Sequence, residues 1–139
     1  MLFVVTGFIS LWPLLRYVAV RRIMGRACVL PKESIWIMAA LLALLFFYCN
    51  TQMHERYSYP AFIFIAAYSF YRKDFLPYIL FSYAFFMNME FVLRWLNLDN
   101  YKTAIFNRTL ISGIYGVVIA YLWYRLYTSF RGRAKTTEI

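Results

Sequence analysis

The chain has 139 residues, of which 63% are hydrophobic and 22% aromatic, with fifteen Lys and Arg against six acids and a net charge of +9. A soluble domain of this size has too little interior to hide that much apolar surface, and the apolar residues come in long blocks rather than in an amphipathic pattern, so a soluble fold is excluded. The Lys and Arg residues fall in short segments between those blocks, which argues against nucleic acid as a partner and for basic flanks that set topology at anionic headgroups.

The expected fold is an all-α integral membrane protein: one bundle over 1–139, with about five transmembrane helices joined by short loops. The chain enters its first apolar run at Met1–Val5 without the basic leader of a secretory signal. That reads as a chain opened just before a helix, and the expectation is the C-terminal part of a longer protein. The first span is expected over Leu2–Val20, with Pro13 as a kink and Arg16 snorkelling to the nearer surface. The second is expected over Ser34–Cys49 and the third over Ser58–Tyr71, where Ser58 is a natural cap and Pro60 suits a first turn. The fourth covers Phe75–Leu93 with Pro77 in its first turn, and the fifth covers Ile105–Tyr124, where Gly113 and Gly116 offer a small-residue patch for close packing. A basic tail, 128–139, follows.

Five spans put Arg21, Arg22, Arg26, Lys32, Arg72, Lys73, Arg131, Arg133 and Lys135 on one side. With Arg16 and Arg125 the split is eleven against four, the other side holding Arg56, Arg94, Lys102 and Arg108. The basic side is therefore expected to be cytoplasmic, giving N-outside, C-inside. Trp36 and Trp123 suit the inner interface, and Tyr48, Tyr57, Trp95 and Tyr101 the outer one. Cys28 and Cys49 then lie on opposite sides, which argues against a disulfide, and their spacing is not that of a metal site.

The only histidine lies in the charged knot Met53-His54-Glu55-Arg56-Tyr57. Lys32 and Arg72 enclose 39 residues, and two spans of about 20 residues each would use nearly all of them. The knot is thus expected at the outer membrane edge, where charge is costly and marks function. The third span begins beside it with free backbone N–H groups and a positive dipole end. Arg56 together with that terminus suits a phosphate, Glu55 suits orientation of Arg56 or a polar substrate, and His54 suits donation to an oxyanion or sugar hydroxyl. An ordinary interfacial turn with its charges in water is the competing reading.

Further along, Asn88, Glu90, Arg94 and Arg108 are candidates to line the same outer cavity, with Glu90 and Arg94 four apart on one helical face. An interfacial Glu90–Arg94 pair with Arg94 snorkelling is the favoured competing reading, and Arg108 carries the same ambiguity. Asn107-Arg108-Thr109 is a formal glycosylation sequon, too near the membrane to be expected in use. Phe85-Phe86-Met87 reads as packing or lipid contact.

Gln52-Met53-His54-Glu55-Arg56-Tyr57, followed by Tyr59-Pro60 and an apolar helix, resembles the membrane-embedded GT-C glycosyltransferases. These are mannosyltransferase-like enzymes that use polyprenyl-phosphate sugars, and many carry a His-Glu-Arg or His-Glu-Lys element before one of their last helices on the non-cytoplasmic side. The resemblance implies that His54, Glu55, Arg56 and Tyr57 bind the lipid-phosphate or sugar end of the donor. It also implies direct displacement at the anomeric carbon, with positive groups such as Arg56 stabilising the departing phosphate. The family's catalytic Asp lies in a first external loop that this chain lacks. Asp74 falls on the expected cytoplasmic side and Asp99 late in the chain, so no catalytic residue is assigned.

The expected function is therefore the C-terminal membrane portion of a glycosyltransferase of the bacterial inner membrane or endoplasmic reticulum, with His54 facing periplasm or lumen. Its partners would be a lipid-linked sugar donor, membrane lipid, and the N-terminal part of the same enzyme or a larger membrane subunit. No cofactor or metal ligand set is visible, and a divalent metal is left to the complete enzyme. Two alternatives stay open: a small stand-alone carrier or flippase for lipid-linked sugars, and an accessory membrane subunit.

Overall fold

The computed structural model describes residues 2–25, 30, 32–49, 58–96 and 107–135. Five helices follow one another: α1 (Leu2–Ile23), α2 (Lys32–Cys49), α3 (Tyr59–Arg72), α4 (Leu76–Leu93) and α5 (Arg108–Lys135). Four of them, α1, α2, α4 and α5, are long and apolar enough to cross a membrane. Helix α3 has 14 residues, about 21 Å of helix against a hydrocarbon core of about 30 Å.

The helix limits have local causes. Pro60 and Pro77 sit in the first turns of α3 and α4, where a missing N–H breaks no helical bond. Ser58 does not act as the expected side-chain cap: it lies in right-handed helical geometry, makes no capping hydrogen bond and is fully buried. Helix α1 continues through Pro13 to Ile23, beyond the expected span. Helix α5 likewise runs on to Lys135, so the first part of the expected basic tail is helical. Asn107 accepts a hydrogen bond from the Thr109 N–H at 2.9 Å, which makes the sequon asparagine the cap of α5.

Helices α2, α3, α4 and α5 pack in a ring, each against the next and α5 back onto α2, while α1 lies across α2 and α5. The buried positions recur at steps of three and four: Ile37, Leu41 and Leu44 on α2; Ala61, Ile65 and Tyr68 on α3; Phe81 and Ala84 on α4; Ile111, Tyr115, Val118, Leu122 and Leu126 on α5. That spacing gives each helix one inward seam. Phe81 sits among Phe62, Phe85 and Tyr115, with ring centroids 5.5–6.3 Å apart. Gly116 meets the Tyr48 hydroxyl at 3.7 Å from an added Cβ, but Gly113 faces open space, so the expected two-glycine packing patch reduces to Gly116.

Successive helices alternate in direction. Glu33 of α2 reaches Arg72 at the end of α3 and Ser129 late in α5, and Tyr17 of α1 packs on Phe130. At the opposite end Phe3 of α1 meets Phe46 of α2, Tyr59 of α3 meets Phe85 of α4, and Arg108 of α5 lies over Phe91 of α4.

Candidate functional site

Among the described residues, the densest chemistry lies at the end where α2 begins and α3 finishes. Helix α3 closes with Lys73 in left-handed geometry, φ 55°, which costs a side-chain-bearing residue about 1 kcal/mol. The turn is secured by the Asp74 N–H donating to the Ser69 carbonyl at 3.1 Å, and it delivers Asp74 to the side of α5. There Asp74 Oδ2 accepts hydrogen bonds from the hydroxyls of Tyr121 (2.6 Å) and Tyr68 (3.3 Å). Arg125 stands 3.3 Å from the same oxygen and donates through Nε to the Tyr68 hydroxyl at 3.0 Å. Tyr68 thus receives from the arginine and gives to the carboxylate, closing a three-membered circuit.

A second pair lies beside it. Glu33, in the first turn of α2, takes Arg72 from the last turn of α3 at 3.1 Å; both ends suit their helix dipoles. The Ser129 hydroxyl donates to the other Glu33 oxygen at 2.6 Å. Ser129 has one proton, so in the 3.2 Å Ser34–Ser129 contact Ser34 must be the donor. Two acids and two arginines on α2, α3, the α3–α4 turn and α5 are therefore balanced in two adjoining clusters that together form the acid–arginine network of this end. Between them is a cavity of about 120 Å³, lined by Glu33, Tyr68, Arg72, Arg125, Thr128 and Ser129 among others.

The sequence does not assign this network. Arg72, Lys73 and Asp74 read there as part of a segment on the expected cytoplasmic side, and Arg125 is only counted with the basic residues of that side. The available signal was on α5, where Tyr121, Arg125 and Ser129 recur every four residues on one face of an apolar helix.

The opposite end holds Asn88, Glu90, Arg94 and Arg108. Glu90 is buried, at 3% exposure, and its carboxylate accepts the Leu96 N–H at 2.8 Å. Arg94 leaves the helix in left-handed geometry, φ 49°, its N–H closing on the Glu90 carbonyl at 2.8 Å. Glu90 thus lies in the last turn of α4 and Arg94 is the residue that caps it. Arg108 begins α5 with its guanidinium 5.6 Å from the Phe91 ring centre, and Asn88 is half-buried in α4 two residues before Glu90. A hollow of about 290 Å³ lies here, lined by Phe86, Met89, Glu90, Leu93, Trp95 and Leu96. Of the four expected lining residues, only Glu90 borders it.

His54, Glu55, Arg56 and Tyr57 lie outside the described residues, as does Cys28. The described residues on either side of the knot, Cys49 and Ser58, belong to the end that holds Glu90 and Arg108. Cys49 carries a free thiol 3.5 Å from the Thr6 hydroxyl. Among the described residues no three His, Cys, Asp or Glu side chains come together as metal ligands. Comparison with protein-family models, with curated proteins and with solved structures gives no match.

Proposed function

We propose that this chain is the C-terminal membrane portion of a glycosyltransferase that takes a sugar from a polyprenyl-phosphate donor on the non-cytoplasmic face. The observation that carries the reading is the Gln52–Tyr57 element with Tyr59-Pro60 and an apolar helix directly after it. In this reading all five helices cross the bilayer, α3 doing so within the ring made by its longer neighbours. Arg21, Arg22, Lys32, Arg72, Lys73 and Arg125 occupy the end with the acid–arginine network, against Arg94 and Arg108 at the other. That bias favours a cytoplasmic location for the network end and an outward one for the His54 end.

The chemistry assigned to the element follows from its side chains. Arg56 presents a planar five-donor fork to a phosphate and neutralises charge as the lipid phosphate departs. His54 and Glu55 hold sugar hydroxyls or orient Arg56. The catalytic base is assigned to a residue outside this chain.

The test is transfer of radiolabelled sugar from a polyprenyl-phosphate donor by the complete protein in proteoliposomes. His54→Ala and Arg56→Ala are expected to lower transfer by about a hundredfold, the scale of losing charged contacts made in the transition state. Transfer within a factor of two of the unmodified protein for both variants would overturn the assignment.

A further inference from the structure

We propose that the open cavity between α2, α3 and α5 at the network end binds a phosphate group, supplied by an anionic lipid headgroup of the adjoining leaflet or by free phosphate. The site is independent of the glycosyltransferase reading and lies at the other end of the bundle.

The first argument is the unused donor capacity of the two arginines. A guanidinium carries five N–H donors. Arg72 commits Nε to Glu33; Arg125 commits Nε to Tyr68 and Nη2 to Asp74. Their remaining N–H groups make no hydrogen bond to the described residues, and both side chains line the cavity. The second is shape: at about 120 Å³ the cavity far exceeds the roughly 10–15 Å³ that admits one water. That volume has room for a phosphate group.

The third argument is charge. Glu33 is already met by Arg72 and by the Ser129 hydroxyl, so its carboxylate is not free to repel an anion. The two arginines are offset by Glu33 and Asp74, so the excess positive charge at this end comes from exposed Lys32 and Lys73, next in sequence to Glu33 and Arg72. Planar arginine forks are matched to phosphate oxygens. The fourth is position: the cavity lies where α2 starts and α3 ends, the level at which headgroup phosphates flank a spanning bundle.

The experiment uses the purified chain in phosphatidylcholine nanodiscs carrying a trace of photoreactive phosphatidic acid. The expected result is label concentrated on peptides covering 32–37 and 121–130, and an apparent affinity about tenfold weaker in Arg72→Gln, the scale of one lost charged hydrogen bond. Displacement by unlabelled phosphatidic acid alone assigns the site to lipid. Displacement by millimolar inorganic phosphate as well assigns it to the free anion. A labelling map no different from that of photoreactive phosphatidylcholine overturns the proposal on the unmodified protein, whether or not the variant folds. So does an unchanged affinity in a folded Arg72→Gln protein.

Discussion

Replacing Asp74 with Asn tests whether the acid–arginine network holds the bundle together. Asp74 Oδ2 carries three partners at once: Tyr121 at 2.6 Å, Tyr68 at 3.3 Å and Arg125 at 3.3 Å. At that separation the gross Coulomb attraction to Arg125 is about 5 kcal/mol for an effective dielectric of ~20. Desolvation offsets much of this, since the Asp74 and Arg125 side chains are only 18% and 30% exposed. Interhelical hydrogen bonds in membrane bundles add about 0.6 kcal/mol each. An amide keeps the shape and still accepts the two hydroxyls more weakly, so the net loss is about 2 kcal/mol. The assay is reversible unfolding in mixed micelles followed by circular dichroism, as a double-mutant cycle with Arg125→Gln. A coupling energy of about 1 kcal/mol or more is expected, because either single change leaves its partner half-buried and unmatched. Additivity within ~0.3 kcal/mol would refute the claim that the pair acts as a unit.

Other substitutions follow from the packing. Phe81→Ala empties a fully buried site between three rings and should cost about 3 kcal/mol in the same unfolding assay; a loss under ~1 kcal/mol would mean the site collapses. The Tyr115 hydroxyl is buried with no hydrogen-bond partner among the described residues, so Tyr115→Phe should be neutral or stabilising by up to about 1 kcal/mol. Destabilisation beyond that would show the hydroxyl to be bonded. Gly113→Ala meets nothing within 4 Å of the new Cβ and should raise stability by about 0.5–1 kcal/mol through helix propensity alone. A marked loss would restore Gly113 to a helix contact.

Helix positions were legible in the sequence because charged segments and prolines interrupt the apolar blocks. Pro60 and Pro77 mark the starts of α3 and α4 to within a residue or two. The inward faces were not legible. Helices bounded by lipid are apolar all round, so Phe81 and its exposed neighbour Tyr83 carry no sequence mark of which one meets the core. The acid–arginine network was hidden for a related reason. Glu33 and Arg72 belong to different inter-helix segments, and only the register of α3 against α2 brings them to 3.1 Å. The partners of Asp74 were not legible because a single left-handed residue, Lys73, turns it back against Tyr121 and Arg125.

The claim that the His54 end recognises a lipid-linked sugar meets its most direct test in photo-crosslinking. A photoreactive polyprenyl phosphate, reconstituted with the protein, should label the peptide carrying residues 50–57, and Arg56→Ala should abolish that label while label near Arg125 and Ser129 persists. Label confined to the network end, or label at 50–57 that Arg56→Ala leaves unchanged, would contradict it.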